Sequence, residues 1–309
     1  MSQIKPMIIV LLMLTSALAG CTGADGQDGA DGQDGAEVKK PGINMFQANL
    51  EEARLVLVDL TNANLSYANM QNTDLRYANL SGADLSYANI KFSELNNADL
   101  SYANLSYAEL LLSNLSGVNL SYANLHGVHG ISLRGCPDSL PQFWICIGYE
   151  IVDPDNIYNL VGPAANLSYA DLNDDFIGNA NMQKSNLSEA SMRFTILTNA
   201  NLSEADMSRS DLENAIMIGA VMTNTDLTNA NMYYADLTNT DLTNANMNYA
   251  DLYSANLTNA DLTGANMSHA NLYNADLTNA DLTDVYWLET MCPDGSFSDN
   301  NGNTCENNL

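Results

Sequence analysis

Basic side chains are scarce in this 309-residue chain: 10 Lys and Arg stand against 37 Asp and Glu, for a formal net charge of −27. Such a surface repels nucleic-acid phosphates and anionic headgroups and favours cations or basic protein patches. There are only three histidines, His126, His129 and His269, and no GxSxG, HExxH, GxGxxG or P-loop motif, so the common nucleophile, zinc and phosphate-binding signatures are missing. Long apolar runs are missing too. The best, Met7 to Leu14, falls well short of the roughly 20 residues needed to cross a bilayer as a helix. Aromatic residues are 7% of the chain and charged residues 15%. That balance suits a thin core of small and medium side chains.

What the chain has instead is a period of five. From Leu227 to Leu282 every fifth residue is Leu or Met, the residue two before it is Ala or Thr, and Asp or Asn stands between. On an α-helix five residues advance the face by about 140°, which leaves no buried stripe. On a continuous strand an odd period puts successive Leu on opposite faces. The pattern fits short extended pieces joined by bends, with Ala and Leu pointing inward and the intervening Asp or Asn pointing outward or bonding the turn. A second period of twenty fixes the coil. Tyr67, Tyr87 and Tyr107, then Tyr233, Tyr253 and Tyr273, and Thr223, Thr243, Thr263 and Thr283 recur at that spacing. Twenty residues are four pentads, a square coil that stacks on the next at about 4.8 Å.

These A(N/D)LxX repeats resemble those of the pentapeptide-repeat proteins over about two thirds of the chain. The resemblance implies an all-β fold, a right-handed quadrilateral parallel β-helix. Sixteen centres run from Leu50 to Leu125 and twenty-four from Leu167 to Leu282, which gives stacks of four and six coils. The two blocks lie 42 residues apart, not a multiple of five, so the register resets across an irregular insertion, with a short hairpin expected around Trp144 to Val152. The expected division is a signal peptide at 1–20, an acidic Gly/Asp tether at 21–45 and a first solenoid at 46–127. The insertion follows at 128–164, then a second solenoid at 165–288 and a disulfide-closed cap at 289–309. Asp175-Phe176-Ile177 departs from the small-residue rule, so an irregular coil is expected there.

Residues 1–20 have the form of a secretory signal. Leu18-Ala19-Gly20-Cys21 is similar to the lipobox at which prokaryotic lipoproteins are cleaved and acylated, which makes Cys21 the expected lipid site and a membrane the expected partner. The remaining cysteines fall into two local pairs outside the repeats, Cys136 with Cys146 and Cys292 with Cys305, as an exported chain would have them. A zinc site from these four lacks CxxC spacing; His126 and His129 could otherwise join Cys136 and Cys146 around a metal. No cofactor or resident metal is expected. Neither is catalysis, because a filled square rod offers no cleft.

Eight centres of the second array are Met, where core filling is the plain reading and copper(I) the alternative. Asp241, Asp261 and Asp281 should stack as an unrelieved carboxylate column able to attract cations weakly, and the tail's Asp294, Asp299, Asn301 and Glu306 lack EF-hand spacing. The sequons, such as Asn64 and Asn256, arise from the repeat itself.

The leading functional expectation is a non-enzymatic, lipid-anchored, acidic rod on the extracytoplasmic side, acting as scaffold or interaction module toward an unknown protein. The six Tyr above form its contact stripes, or simply stabilise the ladder. The family supplies an alternative, inhibition of a type II topoisomerase by DNA mimicry. A cation-binding rod, or ice or mineral binding by Thr columns, is a further one.

Overall fold

The computed structural model describes residues 42–148 and 158–305. The expected signal peptide, Cys21 and nearly all of the tether therefore lie outside the described residues, as does Glu306.

One pentad shows why the motif has the composition it does. The Asn64 N–H donates to the Ile43 carbonyl of the previous coil (2.9 Å), and the Leu65 and Tyr67 N–H groups donate to Asp84 and Ser86 of the next coil (2.7 and 2.9 Å). The Ala68 N–H closes the bend onto the Leu65 carbonyl (3.0 Å). That leaves the Ser66 N–H, which donates to Oδ1 of Asn64 at 3.1 Å. All five donors are satisfied, as buried or half-buried backbone requires. Asp or Asn before the centre is thus the acceptor that completes each turn, an Asx turn repeated around the coil. The residue two after the centre takes a positive φ, 59° at Tyr67 and 56° at Asn62, which is why Asn is so common there.

Parallel bridges join residues twenty apart from Asn44↔Asn64 to Asn119↔Ser139, and from Asn166↔Asn186 to Asn271↔Met291. Leu, Met and Ile centres and inward Ala are almost completely buried. Where the inward residue is a hydroxyl it is mostly bonded, Ser185 Oγ being buried without a partner. Ser93 Oγ donates to the Met70 carbonyl (2.8 Å) and accepts from the Thr73 N–H (3.1 Å), and Ser113 Oγ donates to Ile90 (2.6 Å). These hydroxyls form a ladder up the inside of one wall.

The interruption is partly more regular than the sequence suggests. His129 and Ser139 still bridge to Glu109 and Asn119, so the coil geometry outlasts the pentad consensus. The hairpin differs from expectation. Strand β1 (Ile145–Gly148) pairs antiparallel with β2 (Tyr158–Val161), so the returning strand starts beyond Val152, and residues 149–157 lie outside the described residues. The core falls into two clusters, and consecutive β2 residues belong to different ones: Leu160 to the first and Val161 to the second. β2 therefore lies between the two cores. Gly130 stands where a Leu centre is due, and a Cβ there would come within 2.9 Å of Leu160 Cδ1; Leu160 fills the space instead. Trp144 occupies the room that Gly162 leaves in the same way.

Around this plug the backbone ladder continues. Gly127 N–H donates to the Ala164 carbonyl (2.8 Å) and Asn166 N–H to the Val128 carbonyl (3.0 Å). Asn166 thereby takes the acceptor that residue 149 would have taken had the period run on, so the extra chain is inserted within a coil and the columns stay in phase.

The expected irregularity at Asp175-Phe176-Ile177 is absent from the backbone. Phe176 bridges Ile196, Ile177 N–H bonds the Ile196 carbonyl at 2.8 Å, and Asp174 has the usual φ of 60°. The departure is confined to the side chains, because hydrogen bonds to the next coil fix the backbone whatever side chain is present. At the far end Trp287 and Cys292 take centre positions, both buried, and the chain turns back so that Phe297 pairs with Met291 and Ser298 N–H bonds Thr290 (2.9 Å). A 3-10 turn, η1 (Ser298–Asn301), follows. This fold-back covers the last coil's open edge, the usual hazard of a solenoid end.

Candidate interaction surfaces

The predicted aromatic columns are present. Tyr67, Tyr87 and Tyr107 stack with centroid spacings of 4.8 and 4.9 Å and interplanar angles of 6° and 13°. Phe46 and His126 extend this column edge-on at its two ends, and His126 Nε2 lies 3.0 Å from the Tyr107 hydroxyl. Tyr233 and Tyr253 stack at 4.6 Å, and Tyr273 continues at 5.7 Å with a 51° tilt. The two columns are not equivalent. The first stands on the positive-φ corner two residues after the centre, and the second stands one residue after it. At the corner a Tyr pays a conformational penalty that Asn or Gly largely avoids, offset by ring stacking. Tyr234 meets Tyr233 edge-on at 4.4 Å, and hydrogen bonding to Tyr234 pushes the Tyr233 phenol up to about 12. Tyr102 with Tyr122 and Tyr249 with His269 add two shorter stacks.

The carboxylates are occupied locally. Oδ1 of Asp241, Asp261 and Asp281 accepts the N–H of Thr243, Thr263 and Thr283 at 2.9–3.0 Å. The Thr283 hydroxyl and N–H together hold the Asp281 carboxyl below its ordinary range. In another column Asp and Asn alternate as Asp211, Asn231, Asp251 and Asn271, which spaces the charges and also lets the Asn amides bond them. Asn231 and Asn271 Nδ2 donate to Asp211 and Asp251 Oδ1, each at 2.9 Å. In the tail Asp294 accepts from Ser296 and Asp299 accepts from the Glu289 N–H. Among the described residues no group of three or more His, Cys, Asp or Glu is placed to hold a metal.

Both predicted cysteine pairs are disulfides, Cys136–Cys146 and Cys292–Cys305. This overturns the His/Cys metal alternative, since no thiolate remains. His129 Nδ1 instead lies 2.9 Å from Glu109 Oε2, with Lys91 at 3.3 Å from the same oxygen. His129, then Lys91, hold the Glu109 carboxyl below its ordinary value. One open groove of about 620 Å³ is lined by Arg76, Tyr77, Glu94, Asn96, Asn97 and Asn114. Among the described residues no helix is long and apolar enough to cross a membrane.

Two features go beyond the irregular coil expected at Asp175-Phe176-Ile177. Asp175 takes an inward Ala slot, where burial, then Asp171 and Asp174, push its carboxyl up to about 6. The Asx slot is apolar at Phe176, Ile196, Ile216 and Val221, and the first three bridge one another in a single column. The signal was available: the same slot breaks its polar rule three times at a spacing of twenty.

Solved structures similar to this chain include HetL, a pentapeptide repeat protein involved in heterocyst differentiation regulation in the cyanobacterium Nostoc (27% identity, 84% of this chain and 94% of that one, TM-score 0.30). Rfr23 from the cyanobacterium Cyanothece matches at 35% identity over 31% of this chain and 59% of that one (TM-score 0.25). QnrB1, a plasmid-mediated fluoroquinolone resistance protein, matches at 15% over 79% and 88% (TM-score 0.31). No curated protein sequence matches. The family model of pentapeptide repeats matches in 8 copies, over residues 43–76, 68–101, 93–129, 164–214, 205–244 and 245–284. With more than half of its length matched, and with four-pentad coils in which each motif position has its own bond, this chain belongs to the pentapeptide-repeat family, whose fold is a right-handed quadrilateral β-helix.

Proposed function

We propose that the chain is a non-enzymatic, exported lipoprotein, a rigid acidic rod tethered at Cys21 that presents its side faces to a protein partner. The observation that carries this reading is the pairing of all four cysteines of the described residues, which suits an oxidising compartment and complements the signal-like and lipobox-like N-terminus. Two or more acyl chains would make the attachment stable. The rod supplies recognition surfaces and no chemistry. Its turns are internally bonded, and its stacked Tyr edges offer apolar area and hydroxyls at little entropy cost. Metabolic labelling with palmitate tests the reading. A labelled protein recovered with membranes, whose label and membrane association are both lost in Cys21→Ala, is expected; an unlabelled cytoplasmic protein would sink it.

The acidic charge also fits the family's topoisomerase-directed reading. The paired cysteines argue for a different compartment, and inhibition of supercoiling by the purified chain is the result that would revive it.

A further inference from the structure

The second stack breaks its own rule along one face. Phe176, Ile196 and Ile216 occupy the slot that elsewhere holds the Asx acceptor, one above another in adjacent coils. Phe176 is 70% exposed and Ile216 36%. The Phe176 ring lies along the face, its Cζ 3.4 Å from where a Cβ on Gly178 would stand. On the next face Val221, 38% exposed, makes the same exchange. An apolar side chain accepts no hydrogen bond, so the N–H groups of Gly178, Thr198, Ile218 and Thr223 lose the Asx partner that Asp or Asn in this slot gives their equivalents. The chain therefore gives up turn bonds to place apolar groups where water can reach them. Neither half of that exchange serves the isolated rod.

We propose that this stripe is a self-association surface on which two copies of the chain pack face to face and antiparallel. Three features favour a second copy over another occupant. The stripe is symmetric about its middle member, so a two-fold axis at Ile196 sets Phe176 of each copy against Ile216 of the other, large against small. This is the self-complementarity that an isologous interface needs. It is also a neutral window in a strongly acidic chain. The corner that follows carries Asn179, Asn199 and Gly219, and the next face carries Asn181 and Asn201 before Val221. The corner that precedes it carries Asp174, Phe194 and Asn214, and its other two charges, Arg193 and Glu213, neutralise each other as an ion pair at 2.8 Å. Two copies of a chain with a net charge of −27 can approach closely only through such a window. Finally, the area is right for a weak pair. The exposed parts of Phe176, Phe194, Ile216 and Val221 come to roughly 400 Å² per copy, the size of the largest apolar patch on an ordinary monomer. Both copies and their polar rims then approach the low end of specific interfaces, about 1,200 Å². The pair should form and dissociate with concentration.

The test uses the soluble chain from residue 22 onward with both disulfides intact. Sedimentation equilibrium from about 10 μM to about 1 mM should show mass rising from monomer toward dimer. Ile196→Asn with Ile216→Asn restores the repeat's own acceptor at both positions. This variant should keep its melting temperature or raise it, yet stay monomeric to at least tenfold higher concentration, so loss of association cannot be put down to misfolding. A single Ile196→Cys should be joined to its like by a short bis-maleimide, and Asn259→Cys on another coil should not. A wild-type mass that stays monomeric throughout, or association unchanged in the double variant, overturns the proposal. So does a monomer that instead sediments with neutral phosphatidylcholine vesicles, which would make the stripe a lipid contact.

Discussion

Asp175 places a carboxyl where the coil wants a methyl. It is 8% exposed, its column continues with Thr195 and Ala215, and its carboxyl is pushed up to about 6 by burial and by Asp171 and Asp174. In the unfolded chain an aspartate titrates at its ordinary value near 3.8. The folded state therefore holds this proton more tightly. The associated stability is fully present below about 3.8 and is lost as pH rises through about 6. Two pKa units correspond to about 3 kcal/mol as an upper bound. Residual solvent contact brings the expected penalty at neutral pH to about 1–2 kcal/mol. Asp175→Ala, which restores the repeat's small residue, should remove it. The assay is urea denaturation of wild type and variant at several pH values from 4 to 8, scored as the difference between them so that every other carboxylate cancels. The variant should gain on the wild type as pH rises through about 6 and level off by about 8. A difference that stays flat across that range would refute the placement of a desolvated carboxyl in the wall.

Four further outcomes follow from geometry already described. Asp226→Ala removes the acceptor of the Thr228 N–H and hydroxyl and of the Asn246 amide, and should cost about 1–2 kcal/mol by chemical denaturation. Ser93→Ala breaks the inner hydroxyl ladder between Thr73 and Met70 and should cost about 1–2 kcal/mol, with hydrogen exchange accelerating at Thr73. Cys305→Ser should destabilise the cap by roughly 3 kcal/mol on the chain-entropy estimate. Exchange should quicken around Met291 and stay unchanged in the first stack, because solenoid contacts reach only neighbouring coils. Glu109, held low chiefly by His129, contributes stability that is present above its unfolded pKa and is lost as pH falls through its folded value, so Glu109→Gln should flatten the acid limb of the denaturation profile.

The fold was legible because each pentad slot has a single physical task. Leu fills, Ala leaves room, Asn or Asp accepts one particular N–H, and the corner residue tolerates a positive φ. A period of twenty then placed Tyr67 over Tyr87 without any knowledge of the tertiary structure. The same reasoning stopped short wherever a residue's task depended on chain from elsewhere. Gly130 and Gly162 fall in the stretch expected to be an irregular insertion, but they make room for Leu160 and Trp144, and no local pattern says that β2 will pass between two cores. At Asp175 the side-chain anomaly was visible and its backbone consequence overestimated, because the ladder to the next coil outweighs the preference of one residue. The apolar stripe was present in the text at a spacing of twenty. The centres alone do not show it, because its meaning lies in the turn bond that is given up. The Tyr columns show the limit on function: stacking explains them as well as recognition does until a partner is found.

The phase-preserving insertion sets a rule for how such a gene can change. Deleting or duplicating one pentad would swing everything downstream by a quarter turn, setting the Tyr233 column and the apolar stripe on new sides of the molecule. Deleting or duplicating twenty residues would shorten or lengthen the rod and leave its sides where they were. Indels tolerated by this lineage should therefore come in whole coils, or as chain spliced out and back within one coil, as between Ser139 and Asn166.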